Sequence, residues 1–551
     1  MLVRDYIIKI LIDNGGQETK EGQTGGPHAF GIPGGVILPL LHSMKLQAPH
    51  IVPHLAYNEQ TAGFCACGYA QASGKLAIAY AIRGPGIFNM LTSIGEAYQE
   101  SLPVLFITAH GDRRISDKRF SENQEIDLIP FLSNITKFSA NIDSLDDLKK
   151  VDYACKIATE KRKGPVFLDF STKLFNQEIT FEYTYINEFE TKYDTKSAID
   201  YIYSKLENAK RPVVLIGDGL RNLDCYSLFK DLKIPFISSR GSQDLISNSP
   251  YYFGYIGSHG IRYSNFILSK ADLIISIGNR LAFPINSKSF RPLFEDKFVI
   301  QLDIDEKEYK KELKKIKFFK VNAENLPSIE WECDKNWLDT CNELKNKLYD
   351  YDTTIFVSKL EKVIKRYDEN TLFVCDVGNN EFWFSRAFEK VRPNCNVLYS
   401  KSFGTLGVAI ARAIGAYYAT GKHIVCVIGD QGFQYNIQEL QYLSQWKLPI
   451  TVILVNNFRS GMILDHERKL FGENLLHVTK ESGYSTPNFE KIANAYEIKY
   501  IKEIEQLEAK IESPELYEIK IDEDIELIPY LPKGNLCQDL EPKLEYKYME
   551  K

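Results

Sequence analysis

The stretch 423–461, HIVCVIGDQGFQYNIQELQYLSQWKLPITVILVNNFRSG, constrains the fold more than any other part of the chain. Ile424 to Ile428 is apolar and β-branched, short enough for a buried strand, and Gly429-Asp430 ends it. Asn436 to Trp446 has helical spacing, with Ile437, Leu440 and Leu443 on one face. Lys447-Leu448-Pro449 breaks that helix, and Ile450 to Val455 reads as a second buried strand. The pattern predicts a βαβ unit with parallel strands and a right-handed crossover. Asp430 and Asn457 then fall at the carboxyl ends of the strands, where open α/β sheets bind ligands.

An Asp and an Asn side by side suit a hard divalent cation. Mg2+ takes oxygen ligands in near-octahedral geometry and shares them with phosphate. Asp430 offers a carboxylate, Asn457 an amide oxygen and Arg459 a backbone carbonyl. Spacing separates this site from a decoy. Gly217-Asp218-Gly219 also follows an apolar strand, but 27 residues beyond Asp218 stands Leu245, not an amide.

The same alternation recurs along the whole chain. Residues 3–13 predict an opening amphipathic helix rather than a signal peptide, and 14–28 a mobile loop. Strands are expected after Ala29, near Ile51, at 75–82, 104–108 and 164–169, with helices between, the one after Glu59 built from small residues. A linker at 172–195 leads to a second unit with strands at 213–216, 236–238, 273–277 and 298–302. The basic run at 307–320 reads as a solvated helical face, and 324–350 as a second linker with a helix. The expected fold is α/β, with three doubly wound parallel-sheet domains at 1–182, 183–345 and 346–551.

Composition narrows function by exclusion. Lys and Arg number 67 against 73 Asp and Glu, a net charge of −6, which points to neither nucleic acid nor a membrane surface. No uncharged apolar run reaches the ~18 residues of a membrane span. Ten scattered cysteines include no CxxC, and Cys65 and Cys67 are too close for a zinc pair, so a reduced cytoplasmic setting is expected.

Gly429-Asp430-Gln431-Gly432-Phe433, then 26 residues between Asp430 and Asn457, then the Asn pair, resembles the diphosphate–Mg signature of thiamine diphosphate enzymes. The family's usual second glycine is Gln431 here, with Gly432 following. The segments NEQTAGFCACGYAQASGK (58–75) and RGPGIFNMLTSIGEAYQESLPVLFITA (83–109) resemble the pyrimidine-binding domain of the acetohydroxyacid (acetolactate) synthase-like family. AFGIPGGVILPLL, NQEID, GPVFLDF, RPVVLIGDG, YIGSHGIRYSN, ADLIISIGNR, DVGNNEFWFSR and FGTLGVAIARAIGAYYA extend it in order through most of the chain.

The resemblance implies the pyrimidine-binding, central and diphosphate-binding domains of that family, with thiamine diphosphate and Mg2+ as cofactors. Glu59 matches the glutamate that hydrogen-bonds N1′ of the aminopyrimidine, so that the cofactor's own amino group removes the C2 proton. Gln124 matches a glutamine placed by the active site. Cofactor contacts are expected at Gly34, Gly84, Pro85, Asn89, Gly378, Asn379, Asn380, Gly404, Leu406, Gly429, Asp430, Gln431, Gly432, Asn457, Arg459, Gly461 and Met462. Asp430, Asn457 and Arg459 are the metal candidates, and Leu406 matches the bulky residue over which the cofactor bends. The implied reaction is decarboxylation of a 2-oxo acid, pyruvate first, with transfer of the acyl carbanion to a carbonyl acceptor. A decarboxylase releasing an aldehyde and a silent binding subunit are the alternatives. A homodimer or homotetramer is implied, the glutamate domain of one chain facing the diphosphate domain of another.

Departures fall around the substrate. Arg280-Leu281-Ala282-Phe283-Pro284 replaces the Arg-Phe-Asp-Asp run of biosynthetic members, so FAD is expected to be absent or weakly held. His466 replaces the tryptophan that shapes the acceptor pocket, and Arg83 a small residue before Gly84. With His110, Arg113 and Arg114, these side chains are candidates for an anionic or hydroxylated substrate.

Overall fold

The computed structural model describes residues 1–15, 27–111, 124, 126–180, 191–281, 288–348, 355–521 and 524–543. Arg113, Arg114, residues 16–26 of the loop expected at 14–28 and positions 282–284 of the FAD-related run lie outside them.

Three six-stranded sheets, parallel throughout, carry the described chain. The first is built from β1 (His28–Gly31), β2 (Val52–Leu55), β3 (Ala77–Tyr80), β4 (Val104–His110), β5 (Phe138–Ile142) and β6 (Val166–Ser171). Its order is β2-β1-β3-β4-β6-β5. The second contains β7 (Pro212–Ile216), β9 (Phe236–Ser239), β10 (Tyr252–Ile256), β11 (Leu273–Ile277), β12 (Phe298–Asp303) and β13 (Ile316–Lys320), in the order β10-β9-β7-β11-β12-β13. A short pair, β8 (Leu232–Lys233) with β14 (Trp331–Glu332), lies beside it. The third contains β15 (Thr371–Cys375), β16 (Asn396–Tyr399), β17 (His423–Gly429), β18 (Ile450–Asn456), β19 (Lys499–Ile501) and β20 (Glu515–Lys520). Its order, β16-β15-β17-β18-β20-β19, repeats that of the first sheet.

The βαβ unit forms as its sequence requires, with β17 and β18 adjacent and parallel. The intervening helix differs from expectation. A first turn begins at Asp430 itself (Asp430–Tyr435), and a second, Leu440–Gln445, follows a 3-10 turn. The basic run also differs: Ile316–Lys320 is the edge strand of the central sheet, not a helical face. Lys317 and Lys320 suit an edge strand, where charge discourages pairing with another chain.

One core joins the first and third sheets. The helices Glu59–Ser73, Pro85–Glu100 and Ala409–Thr420 bury their apolar faces between them. The outer faces of the two sheets have their own cores, and the central sheet a fourth. Among the described residues no helix is long and apolar enough to cross a membrane.

Candidate active site

In each outer sheet the strand order reverses between two neighbours, and ligands of open α/β sheets bind at that crevice. In the third sheet the switch lies between β15 and β17. Their carboxyl ends run into Asp376-Val377-Gly378-Asn379 and Gly429-Asp430. In the first it lies between β1 and β3, whose ends lead to the turns of Gly34 and of Arg83-Gly84-Pro85. The two groups of expected cofactor residues therefore occupy the two positions that topology favours.

Asp430 is 3% exposed at the head of its helix. Oδ1 accepts the Gln431 N–H at 2.9 Å, whereas Oδ2 is buried with no hydrogen-bond partner. The Tyr484 hydroxyl stands beside it, but neither atom completes a bond with the other. Burial pushes the carboxyl up to about 7, the cost of a buried anion without a counter-charge. Asn457 and Arg459 are half-buried on the turn after β18, and Arg459 Nη1 donates to the Asn457 carbonyl at 3.2 Å. Asn379 Oδ1 is a second buried oxygen without a partner, while its Nδ2 donates to Asp465 Oδ2 at 3.1 Å. Gly461 lies against the Asn457 and Asn379 amides, and Met462 follows it half-buried. Gly378 and Gly429 both face Asn380 Oδ1.

Among the described residues no three His, Cys, Asp or Glu side chains gather to hold a metal alone. A cation at Asp430 would need its further ligands from phosphate and water, the coordination Mg2+ prefers. The orphaned Oδ2 and the glycine-lined turns fit a metal-bound diphosphate.

Two residues that sequence reasoning passed over organise this crevice. Asp376 is fully buried and accepts the N–H groups of Gly407 and Val408, each at 2.9 Å, fixing the loop with Gly404 and Leu406. A Cβ on Gly432 would overlap Asp376 Oδ2, so the glycine is needed for that approach. Leu406 is half-buried rather than core, and Gly404 exposed. Asp465, on the Gly461–Phe471 helix, ties Asn379 to the Leu527 N–H. Gln431 accepts from Ser460 Oγ at 3.1 Å, joining the two turns that carry the metal candidates.

Glu59 opens the Glu59–Ser73 helix, capped by Asn58, whose side chain accepts from Gln60 N–H. Asn89 Nδ2 donates to Glu59 Oε2 at 3.0 Å, and Oε1 lies over Gly86. Glu59, Asn89, Gly84 and Pro85 therefore form one constellation. Thr61 Oγ1 donates to Asn436 Oδ1 at 2.6 Å, and Asn436 Nδ2 to the Gly407 carbonyl, linking the start of the Glu59 helix to the loop of Gly404 and Leu406 in the same chain. Gln124 is exposed, with its backbone against Gly84.

The expected substrate rim is met only in part. His466 is exposed on the Gly461–Phe471 helix. Arg83 and His110 are buried, 4% and 2% exposed, and turn inward to Asp169 instead of lining an open edge.

Comparison with known proteins places these features. Residues 23–130 match the thiamine pyrophosphate enzyme N-terminal TPP-binding domain, 199–321 the central domain, and 376–514 the C-terminal TPP-binding domain. The chain is 28% identical over 547 residues to the acetolactate synthase isozyme 2 large subunit of Escherichia coli, covering 94% of this chain and 96% of the relative. It is 29% identical to a probable acetolactate synthase large subunit of Methanocaldococcus jannaschii, covering 94% of each. Identity to the acetolactate synthase large subunit of Lactococcus lactis is also 29%, covering 92% of each. With three successive domains matched in order and its polar residues gathered at both switch points, the chain belongs to the thiamine diphosphate-dependent, acetolactate synthase-like enzyme family.

Proposed function

We propose that this chain is a thiamine diphosphate- and Mg2+-dependent carboligase that takes an acyl unit from a 2-oxo acid, pyruvate first, and joins it to a carbonyl acceptor. The observation that carries the reading is the pairing of Glu59 at one switch point with the unpartnered Asp430 Oδ2 at the other. The name of the relatives, acetolactate synthase, fits the same class of reaction.

When bound, thiamine diphosphate supplies the electron sink on which a 2-oxo acid loses carbon dioxide. Glu59 is the group that would hold a hydrogen bond to the aminopyrimidine N1′, its own carboxylate steadied by Asn89. Asp430, the Asn457 amide and the Arg459 carbonyl would hold Mg2+, and Gly378, Asn379 and Asn380 would border the diphosphate. Gln124, beside the Glu59 constellation, orients donor or acceptor. Leu406, half-buried beside the Asp376-held loop, would support the cofactor.

FAD is proposed not to be resident. A cavity of about 1640 Å3 does open at the switch point of the central sheet, beside Gly217 and Gly278. Several of its cations are matched by carboxylates: Arg221 by Asp218 and Asp244, Lys401 by Asp218 and Glu100, Arg280 by Glu308. A diphosphate there would compete with those carboxylates. All ten cysteines are free and buried, which supports a cytoplasmic setting.

Glu59→Gln tests the reading. The variant should keep its fold and bind cofactor but lose C2 hydrogen–deuterium exchange on bound thiamine diphosphate, by about a hundredfold or more. Wild-type exchange in the variant would remove Glu59 from the mechanism. In the same experiment wild-type protein should be colourless and give ligation products by mass when 2-oxo acids are offered with carbonyl acceptors. Aldehyde alone would select simple decarboxylation.

A further inference from the structure

We propose that Arg83, Asp169 and His110 form a buried clamp that sets the position of Gln124, making all three positioning residues for the acceptor step. The inference rests on the carboligase reading above and adds the device that places its glutamine.

The clamp crosses the carboxyl edge of four neighbouring strands, β3, β4, β6 and β5. Arg83 stands three residues beyond β3, His110 ends β4, Asp169 lies in β6, and Asp143 follows β5. Asp169 Oδ1 meets His110 Nδ1 at 2.8 Å, and its Oδ2 lies 3.5 Å from Arg83 Nη2. His110 Nε2 reaches Asp143 Oδ1 at 2.8 Å. Arg83, Asp169 and His110 are essentially withdrawn from water. Removing one partner of such a group leaves an uncompensated buried charge, so its members hold one another in place.

The working end of the clamp is the arginine. Nε and Nη2 both donate to the Ile126 carbonyl, at 3.0 and 2.6 Å. A lysine has no planar fork and cannot make that double contact. Two residues before Ile126, Gln124 holds a left-handed backbone at φ 62, and its carbonyl lies over Gly84 so closely that a Cβ there would stand 2.7 Å away. A left-handed glutamine persists only where its surroundings enforce it. The enforcing contacts are the Gly84 turn on one side and the Arg83 fork on the other. Gly86, next along the same turn, faces Glu59 Oε1. The clamp thus registers Gln124 against the turn that also borders the activating glutamate.

The test is a double-mutant cycle read at two steps. Arg83→Lys keeps the charge and loses the fork; Asp169→Asn keeps the shape and loses the charge. Each should lower kcat/KM for ligation by about tenfold to a hundredfold, the effect of a small misplacement near reacting groups. C2 exchange on bound thiamine diphosphate should stay within about twofold of wild type, because Glu59 is untouched. In a Gln124→Ala background neither substitution should lower ligation further. Losses that multiply in that background, or C2 exchange that falls in step with ligation, would overturn the proposal. Should both variants fail to fold, Asp143→Asn decides, since the Asp143 side chain is 47% exposed. A severalfold ligation loss that vanishes in the Gln124→Ala background supports the clamp; no loss, or a loss that persists there, overturns it. Failure of the carboligase reading looks different: wild-type protein itself would give no ligation product, with C2 exchange and aldehyde if it is a simple decarboxylase and with neither if it is catalytically silent.

Discussion

Two aspartates, each after Gly at the end of an apolar strand, show how environment assigns a role to a residue. Asp218 lies between Arg221 and Lys401; burial alone would raise its carboxyl, but the two cations hold it below the usual range. Asp430 has no such cation, and its Oδ2 waits without a partner. Asp430→Ala should therefore weaken Mg2+-dependent thiamine diphosphate binding by about a hundredfold or more, since even outer-shell changes at metal sites cost 10–100-fold. Asp218→Ala should leave that affinity unchanged yet lower stability by about 2–3 kcal/mol, less than for a fully buried pair because its side chain is 21% exposed. Calorimetric titration and thermal melts separate the outcomes, and equal affinities would place the metal elsewhere. Asp430 and Asn457 were legible in the sequence because one strand–helix–strand unit fixes their spacing. Asp376 was not, because its partners lie at Gly407, Val408 and Gly432, and nothing local signals those approaches. Arg83 misled for the converse reason. An arginine is exposed by default, and its burial depends on Asp169, 86 positions away in the chain.

Among the elements, the Glu59–Ser73 helix has the strictest packing. Its small residues were readable in sequence as permitting close approach, but not which element approaches. The partner is the Ala409–Thr420 helix, equally rich in small residues. A Cβ on Gly68 would overlap the Arg412 carbonyl, and one on Gly415 the Cys65 carbonyl. Nearby, Arg412 and Glu96 pair at 3.0 Å with almost no exposure. Gly415→Ala should therefore destabilise by about 1–3 kcal/mol, the usual cost of overpacking, although alanine favours helix over glycine by about 1 kcal/mol. An unchanged or raised melting temperature would show that the helices can separate freely. Some buried strands were legible almost to the residue, as with Leu273–Ile277, because parallel strands read as apolar runs, whereas the equally buried Tyr252–Ile256, with its tyrosines and glycine, was not. The basic edge strand and the early start of the Asp430 helix were not, since each is set by tertiary context that overrides local spacing.

At the scale of the molecule, the first and third sheets share one strand order and face each other across one core, each presenting a switch point. Within this chain Thr61 and Asn436 tie the Glu59 helix to the loop of Gly404 and Leu406. Whether catalysis uses that pairing or the equivalent one between two chains of a symmetric oligomer is a question of assembly. Sedimentation should find a homodimer or homotetramer, and two inactive variants then distinguish the arrangements. Glu59→Gln retains Asp430, and Asp430→Ala retains Glu59. If each site draws Glu59 from one chain and Asp430 from its partner, a mixed dimer contains one site with both residues intact and one with neither. After subunit exchange at equal amounts, half of the dimers are mixed, and activity should return to about one quarter of wild type. If each site is completed within a single chain, every site in every dimer lacks one residue and nothing returns. We expect the recovery, because the substitutions fall in different domains and the family resemblance pairs the glutamate domain of one chain with the diphosphate domain of another. The control is wild-type protein exchanged with either variant. Persistent silence in the mixture, with subunit exchange verified by tagged chains, would place the complete site within one chain and make the Thr61–Asn436 contact its hinge.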